Sequence, residues 1–432
     1  DSSIFTITPK SIDSIGEFDS SGGEFSITFR ASDGVNLATV LSEFTVDIAT
    51  IIENSRYTTL MLKTNEIDGS TNNTFVDGST NNFTITRNGN TTQGAFSPYG
   101  NRWSNYFDGA GDSLSLASSD EFGYGTGDWT IEGFFYLASY SNSNQYLFDQ
   151  RQSVSDVGAM LYITSTDKYN VYIGGATRIT GGAPSNDVGQ WNHFALCKSN
   201  GLTRLFINGV QIGGTWSDPN NYASKPLVIS SNFSGDQFFQ GYISDLRIVK
   251  GTALYTSNFT PPTGPLTAVT GTSLLTCQSN RFKDSSVNDF AITPSGDVKV
   301  TRFSPYDQGD YNVSTIGGSG YFTSGGSDYL GLSANSNWDL SSGEWTVETW
   351  VYFTDTADNT YGSVIIGTGS SNSGWILRRL SGRFQLVRPS VAAYSFGPNP
   401  LPNQWYHVAL AKSSSSSTVK GYINGIEYDT TS

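Results

Sequence analysis

The chain has 432 residues, too many for one ordinary core, so two or more domains are expected. Charged residues make up only 14% and aromatics 13%, a usage that suits short strands joined by turns and argues against long helices. A formal net charge of −14 with no visible basic stripe excludes a nucleic-acid binder. No apolar run approaches the roughly 18 residues of a membrane span. Cys197 and Cys277 sit in the apolar runs FALCKS and SLLTCQS, at unmatched places in a repeat described below. They read as buried thiols rather than as a disulfide. The sequence starts at Asp1 without Met, in what reads as mid-strand, so it is expected to be a piece of a longer protein.

In chain order, Glu24–Arg30 and Ser42–Ile48 alternate as strands around the turn Ala31-Ser32-Asp33-Gly34. An apolar strand follows at Thr59–Thr64. The hexapeptide DGSTNN then occurs twice, at Asp68–Asn73 and Asp77–Asn82, against a single DSSVND at Asp284–Asp289. The extra unit reads as a loop insertion, which surface loops tolerate cheaply. Phe83–Arg87 is a strand, and Phe96-Ser97-Pro98-Tyr99 recurs as Phe303-Ser304-Pro305-Tyr306.

The stretch Gly127–Leu137, GDWTIEGFFYL, recurs as Gly343–Phe353, GEWTVETWVYF. Period-two alternation puts Trp129, Ile131, Gly133, Phe135 and Leu137 on one face, and Thr130, Glu132, Phe134 and Tyr136 on the other. QWNHFALCK at Gln190–Lys198 recurs as QWYHVALAK at Gln404–Lys412, and LFINGV at Leu205–Val210 as YINGI at Tyr422–Ile426. The Asn-Gly pairs predict type I′ hairpins, whose two central residues need positive φ. Gly241–Val249, GYISDLRIV, closes the first copy. Residues 250–271 read as a semi-rigid connector with Pro261, Pro262 and Pro265. The second copy has no match to the closing strand and is expected to be incomplete at its C-terminal end.

The ordered motifs FDG-x-GD-x-L, GDWTIE, W-x-H-x-AL, INGV and GYISDLRI resemble the concanavalin A-like jelly roll of laminin-G/pentraxin type. The connector VKGTALYTSNFTPP and the following GTSLLTCQSNRF resemble tandem repeats in tail-fibre and structural proteins of marine bacteriophages. Residues 1–52 resemble the C-terminal part of an immunoglobulin- or cadherin-like domain. The fold implied is all-β. The resemblance implies a first concanavalin A-like jelly roll over residues 53–268, a second over residues 269–432, incomplete at its C-terminal end, and the end of a small β domain before both.

The resemblance also bears on chemistry. Glucanases of this fold place acids as E-x-D-x-x-E on one strand, and retaining hydrolysis needs two carboxyls. Here that strand offers one acid per copy, Glu132 or Glu348, so no enzyme is expected. His193 and His407 recur at one repeat position and read as strand residues with local hydrogen bonds. In pentraxin-like and laminin-G-like domains calcium sits at the sandwich rim. The matching loops, Gln150–Val157 and Ser231–Gln237, offer Asp156, Asn232 and Asp236 as candidate calcium ligands. The second copy has Asn372 and no carboxylate in the first of these loops. Trp216, after a hairpin, is the candidate sugar-stacking residue, and Trp103 and Trp338 also read as loop residues. The function expected is adhesion or receptor recognition on an extracellular or virion surface. The partners are a cell-surface glycan or receptor and other proteins of the assembly, and a homo-oligomer is compatible with this. The alternative is a spacer or decoration repeat with no ligand, and a polysaccharide hydrolase ranks third.

Overall fold

The computed structural model describes residues 24–29, 42–47, 58–63, 74–79, 81–94, 102–141, 143–182, 187–306, 318–323, 328–355, 362–368, 374–388, 392–413 and 418–428. The turn at Asp33, the first DGSTNN unit, the motif at 96–99 and the loop with Asn372 lie outside these residues. The chain divides into two units, Asp1–Gly100 with Asp310–Asn337, and Asn101–Gly309 with Trp338–Ser432.

The second of these units contains the main sandwich, and its first copy supplies β7 (Ser104–Asp108), β8 (Ser113–Ser119), β9 (Trp129–Leu137), β10 (Gln145–Asp149), β11 (Met160–Ile163) and β12 (Lys168–Ile173). The same copy continues with β13 (Ala176–Gly182), β14 (Trp191–Ser199), β15 (Leu202–Ile207), β16 (Val210–Ser217), β17 (Lys225–Ile229) and β18 (Gln240–Lys250). Three strands follow the connector, β19 (Thr272–Thr276), β20 (Thr293–Ser295) and β21 (Lys299–Thr301). One sheet runs β13-β12-β11-β10-β17-β8-β20, and the other runs β16-β15-β14-β9-β18-β7-β21, with β19 also on β18. All the pairings are antiparallel.

The alternation of β9 decides what lies between the sheets. Trp129, Ile131, Phe135 and Leu137 are wholly buried there, with Phe194 and Leu196 of β14 and Ile243 and Ile248 of β18. The facing sheet contributes Leu114, Leu116, Leu161, Val171, Leu227 and Ile229. Each such side chain stabilises the fold by about 1.5–3 kcal/mol relative to exposure.

The second copy repeats half of this pattern with β24 (Trp345–Tyr352), β25 (Ser363–Gly367), β26 (Ile376–Leu380), β27 (Arg383–Val387), β28 (Tyr394–Phe396), β29 (Trp405–Lys412), β30 (Val419–Ile423) and β31 (Ile426–Tyr428). Its sheets run β24-β29-β30-β31 and β25-β26-β27-β28. These orders match β9-β14-β15-β16 and β10-β11-β12-β13. Leu377, Phe384, Leu386, Phe396, Val408, Leu410 and Ile423 form the core between them.

In the other unit, β1 (Glu24–Phe29) and β2 (Ser42–Asp47) make the expected hairpin-like pair. It also holds β3 (Leu62–Lys63), β4 (Val76–Asp77), β5 (Thr86–Asn88), β6 (Thr92–Gly94), β22 (Ser319–Tyr321) and β23 (Tyr329–Gly331). There β3 pairs β4, β22 pairs β6, and β23 pairs β5.

The sequence reading assigns residues 269–432 to one jelly roll. In the structure β19, β20 and β21 hydrogen-bond instead to β18, β8 and β7 of the first copy. In the first copy β18 joins β9 to β7, and β17 joins β10 to β8. Among the described residues β24 and β25 each end a sheet. The strands β22 and β23 pair with β6 and β5.

Candidate functional site

The side of β9 that turns away from the core carries Thr130, Glu132, Phe134 and Tyr136. Register sets His193 of β14 opposite Phe134, and Trp191 opposite Tyr136. On the other flank, Arg247 of β18 lies opposite Glu132, and Tyr242 opposite Tyr136. A bulge between Ser244 and Arg247 re-aims that strand.

Glu132 is fully buried on this outer face. Its Oε1 accepts from Arg247 Nη2 at 2.6 Å and Nε at 3.1 Å. Its Oε2 lies 3.2 Å from His193 Nε2 and accepts from the Tyr255 hydroxyl at 3.0 Å. Burial alone pushes the carboxyl up, but the His193 hydrogen bond and the Arg247 charge outweigh it and hold the pKa below its ordinary value. His193 Nδ1 is buried without a hydrogen-bond partner.

The connector covers this cluster as a strap. Thr130 Oγ1 donates to the Thr252 carbonyl at 3.0 Å and accepts from the Leu254 N–H at 2.9 Å. The Asp245 carboxylate accepts from the Leu266 N–H at 2.7 Å, and Arg247 Nη1 donates to the Thr267 carbonyl at 2.6 Å. The Phe259 N–H donates to the Gly209 carbonyl at 2.9 Å, and the Tyr255 and Phe259 rings stack 3.6 Å apart. Gly209 has φ +76, and a Cβ there would strike the Phe259 carbonyl. The proline-rich segment is thus laid on the sheet rather than strung between copies. In the second copy the matching pair, His407 Nε2 and Glu348 Oε2, is 3.3 Å apart with Glu348 62% exposed.

Beyond the strap the face is aromatic. Tyr242 sits 4.9 Å from Tyr106, 5.8 Å from Tyr136 and 4.7 Å from Phe303 between ring centroids. Trp191 lies 5.8 Å from Tyr136 and 5.3 Å from Phe303. Phe303 is 42% exposed and the other four rings are half-buried, so they form one open platform. Lys299 Nζ stands over the Tyr106 ring at 4.8 Å. Sequence reasoning missed this platform. The signal is present, since alternation puts Tyr136 on the outer face, but the other rings arrive from β7, β14, β18 and residues after β21.

The loops after β10 and β17 do meet. The Phe233 N–H donates to Asp149 at 3.1 Å, and the Arg151 guanidinium lies 5.0 Å over the Phe233 ring. Asp156 pairs with Lys225 Nζ at 3.2 Å and accepts from the Gln152 N–H. Asn232 Nδ2 donates to Asp236 at 2.6 Å, so these two serve one turn. Trp216 lies on β16, packed against the core, with the Arg178 guanidinium 5.0 Å over its ring. Trp103 is buried beside β7 rather than in an open loop. The Trp338 carbonyl accepts from Trp375 Nε1 at 3.2 Å. Both cysteines are buried and free, with burial pushing the Cys197 thiol up to about 12 and the Cys277 thiol up as well.

A carboxylate trio unseen in the sequence joins Asp108, Asp112 and Asp297, with one oxygen from each within 4.8 Å of the others. Asp112 accepts from the Asp108 and Asp297 N–H groups at 3.0 and 2.7 Å. Burial, then the charges of Asp108 and Asp297, push it up to about 6 against those hydrogen bonds.

The family model described as the concanavalin A-like lectin/glucanases superfamily matches residues 108–255 and 324–432. The chain belongs to that superfamily. Among solved structures it is similar to a heptameric SAP-like pentraxin from Limulus polyphemus, at 17% identity over 36% of this chain and 78% of that one, with a TM-score of 0.29. Mouse laminin alpha1 domains LG4-5 are 10% identical over 78% of this chain and 79% of that one, with a TM-score of 0.24. The CBM40 module of Ruminococcus gnavus IT-sialidase, bound to alpha2,3 sialyllactose, is 17% identical over 37% and 95%, with a TM-score of 0.26. No curated protein matches the sequence.

Proposed function

We propose that the chain is a non-enzymatic binding protein that recognises a glycan on its aromatic platform. The observation that carries this is the open cluster of Tyr106, Tyr136, Trp191, Tyr242 and Phe303 on the outer face. Aromatic faces stack on the apolar faces of sugar rings, and polar groups at the rim fix orientation. The superfamily includes lectins, and the CBM40 neighbour is bound to sialyllactose, which agrees with this reading. Hydrolysis is disfavoured because Glu132 lies under the strap, held by a cation, an imidazole and a phenol, where two carboxyls would be needed. The setting we assign is an extracellular or virion surface, supported by the resemblance of the connector to tail-fibre repeats.

The test is a glycan array probed with the full chain and with Trp191→Ala and Tyr242→Ala variants. Binding lost in both variants supports the platform. No binding by the parent chain favours the spacer reading. Calcium belongs to the same proposal, with Asp156, Asn232 and Asp236 as its candidate ligands. To take the ion Asp156 must release Lys225, so the site does not fit calcium as it stands. A melting temperature raised by millimolar calcium, and not raised in Asp156→Ala, supports the ion. An unchanged curve removes it.

A further inference from the structure

The segments ahead of the two copies are built alike. In each, one buried aspartate organises the turn before the paired strands. Asp77 accepts from the N–H groups of Met61, Ser79 and Phe83, and from the Ser79 hydroxyl. Asp284 accepts from the N–H groups of Leu275, Ser286 and Phe290, and from the Ser286 hydroxyl. Asn81 and Asn288 each donate from Nδ2 to a carbonyl early in the arm, Thr59 or Ser273. These segments are two versions of one arm.

Each arm is paired with the strands of the other copy, in the same register. The second arm puts Thr293, Pro294 and Ser295 opposite Ser115, Leu114 and Ser113 of the first copy. The first arm puts Thr86, Arg87 and Asn88 opposite Gly331, Leu330 and Tyr329 of the second copy. The flanking strands repeat this, with Lys299, Val300 and Thr301 on Tyr106, Asn105 and Ser104, and Thr92, Gln93 and Gly94 on Tyr321, Gly320 and Ser319.

The lock at the turn is also shared. Gly296 has φ +73 and a Cβ there would strike the Asp112 carboxylate, which accepts the Asp297 N–H at 2.7 Å. Gly89 has φ +61 and a Cβ there would strike Asp328, which accepts the Asn90 N–H at 2.6 Å. The two arms, of different sequence, pair through the same register and the same glycine–aspartate lock, the second on the β7 and β8 edges and the first on β22 and β23 in two-stranded sheets. Backbone pairing does not record which copy the arm came from.

We propose that the edge formed by β7 and β8 is a receptor for an arm of this type from another copy, and that a second chain can supply that arm. Copies would then be joined by strand addition, with apolar side chains of the arm entering the core as Leu274, Cys277 and Val298 do here. The receptor needs an in-register arm with Gly at the turn.

Cysteine pairs in the full chain test this, because residues directly opposite in a ladder are within disulfide reach. Cys197 and Cys277 are buried and stay as they are. Ser113→Cys with Ser295→Cys, and Asn88→Cys with Tyr329→Cys, are expected to close within one chain on mild oxidation of a dilute sample. Ser113→Cys with Asn88→Cys is expected to stay open there. Co-expressing a Ser113→Cys chain with an Asn88→Cys chain is expected to yield a disulfide-linked pair of chains, mapped by mass spectrometry. Closure of Ser113→Cys with Asn88→Cys inside one dilute chain, while the first pair stays open, would show each arm on its own copy and overturn the exchange. Absence of any linked pair on co-expression would overturn supply by a second chain.

Discussion

Glu132 Oε1 and Arg247 Nη2 lie 2.6 Å apart on neighbouring strands, and the chain's own connector closes over them. Removing one partner of a buried ion pair leaves the other charge uncompensated. Glu132→Gln is therefore expected to destabilise this unit by about 3–5 kcal/mol, read as a lower urea midpoint. The parent chain is expected to release no reducing sugar from β-glucans. Release that vanishes in Glu132→Gln would contradict the binding-protein reading.

The strap rests on Gly209, where positive φ and the close approach of Phe259 both require glycine. Gly209→Ala adds backbone strain and a clash, and is expected to cost about 1 kcal/mol or more. Hydrogen exchange should quicken across residues 252–267 and much less in β9. Equal exchange in parent and variant would mean that the strap is held elsewhere.

Asp284 accepts three N–H groups and a hydroxyl while buried. Alanine there strands those donors, each at about 1–3 kcal/mol. Asp284→Ala is expected to loosen β19, β20 and β21 from the first copy, seen as lost exchange protection in residues 272–301. Retained protection would show that strand pairing and the burial of Leu274, Cys277 and Val298 hold the arm without Asp284.

The pH profile has a definite sign. Burial pushes both Asp112 and Asp245 up to about 6. Unfolded aspartates lose their protons near pH 4. Between about pH 4 and 6 the folded chain holds more protons than the unfolded one, so stability falls as pH rises through that window. Glu132 acts in the opposite sense but lower, since its folded pKa lies below the ordinary value and its contribution fades only as pH falls through it. The melting temperature of the parent is expected to drop between pH 4.5 and 6.5. Asp245→Asn, which keeps an acceptor for the Leu266 N–H, is expected to flatten that slope. An identical slope in the variant would assign the drop to other groups.

Local physics was legible in the residues themselves. Alternation along Trp129–Leu137 decides which side chains enter the core, because neighbours on a strand point to opposite faces. The Asn208-Gly209 and Asn424-Gly425 pairs form their turns with φ of 51 and 76, and 52 and 81, as their freedom at positive φ requires. Placement between distant segments was not legible. His193 reads in sequence as a strand residue with local hydrogen bonds, yet its partner Glu132 arrives from β9 and is itself held by Arg247 of β18. The rings of the platform are contributed by four strands and by the segment after β21, and no window of sequence contains them. The two arms carry the same turn and the same pairing edge, so nothing local to Thr293 or Thr86 states which copy it will join. That choice belongs to the tertiary structure, where Leu274, Cys277 and Val298 of the second arm enter the core of the first copy.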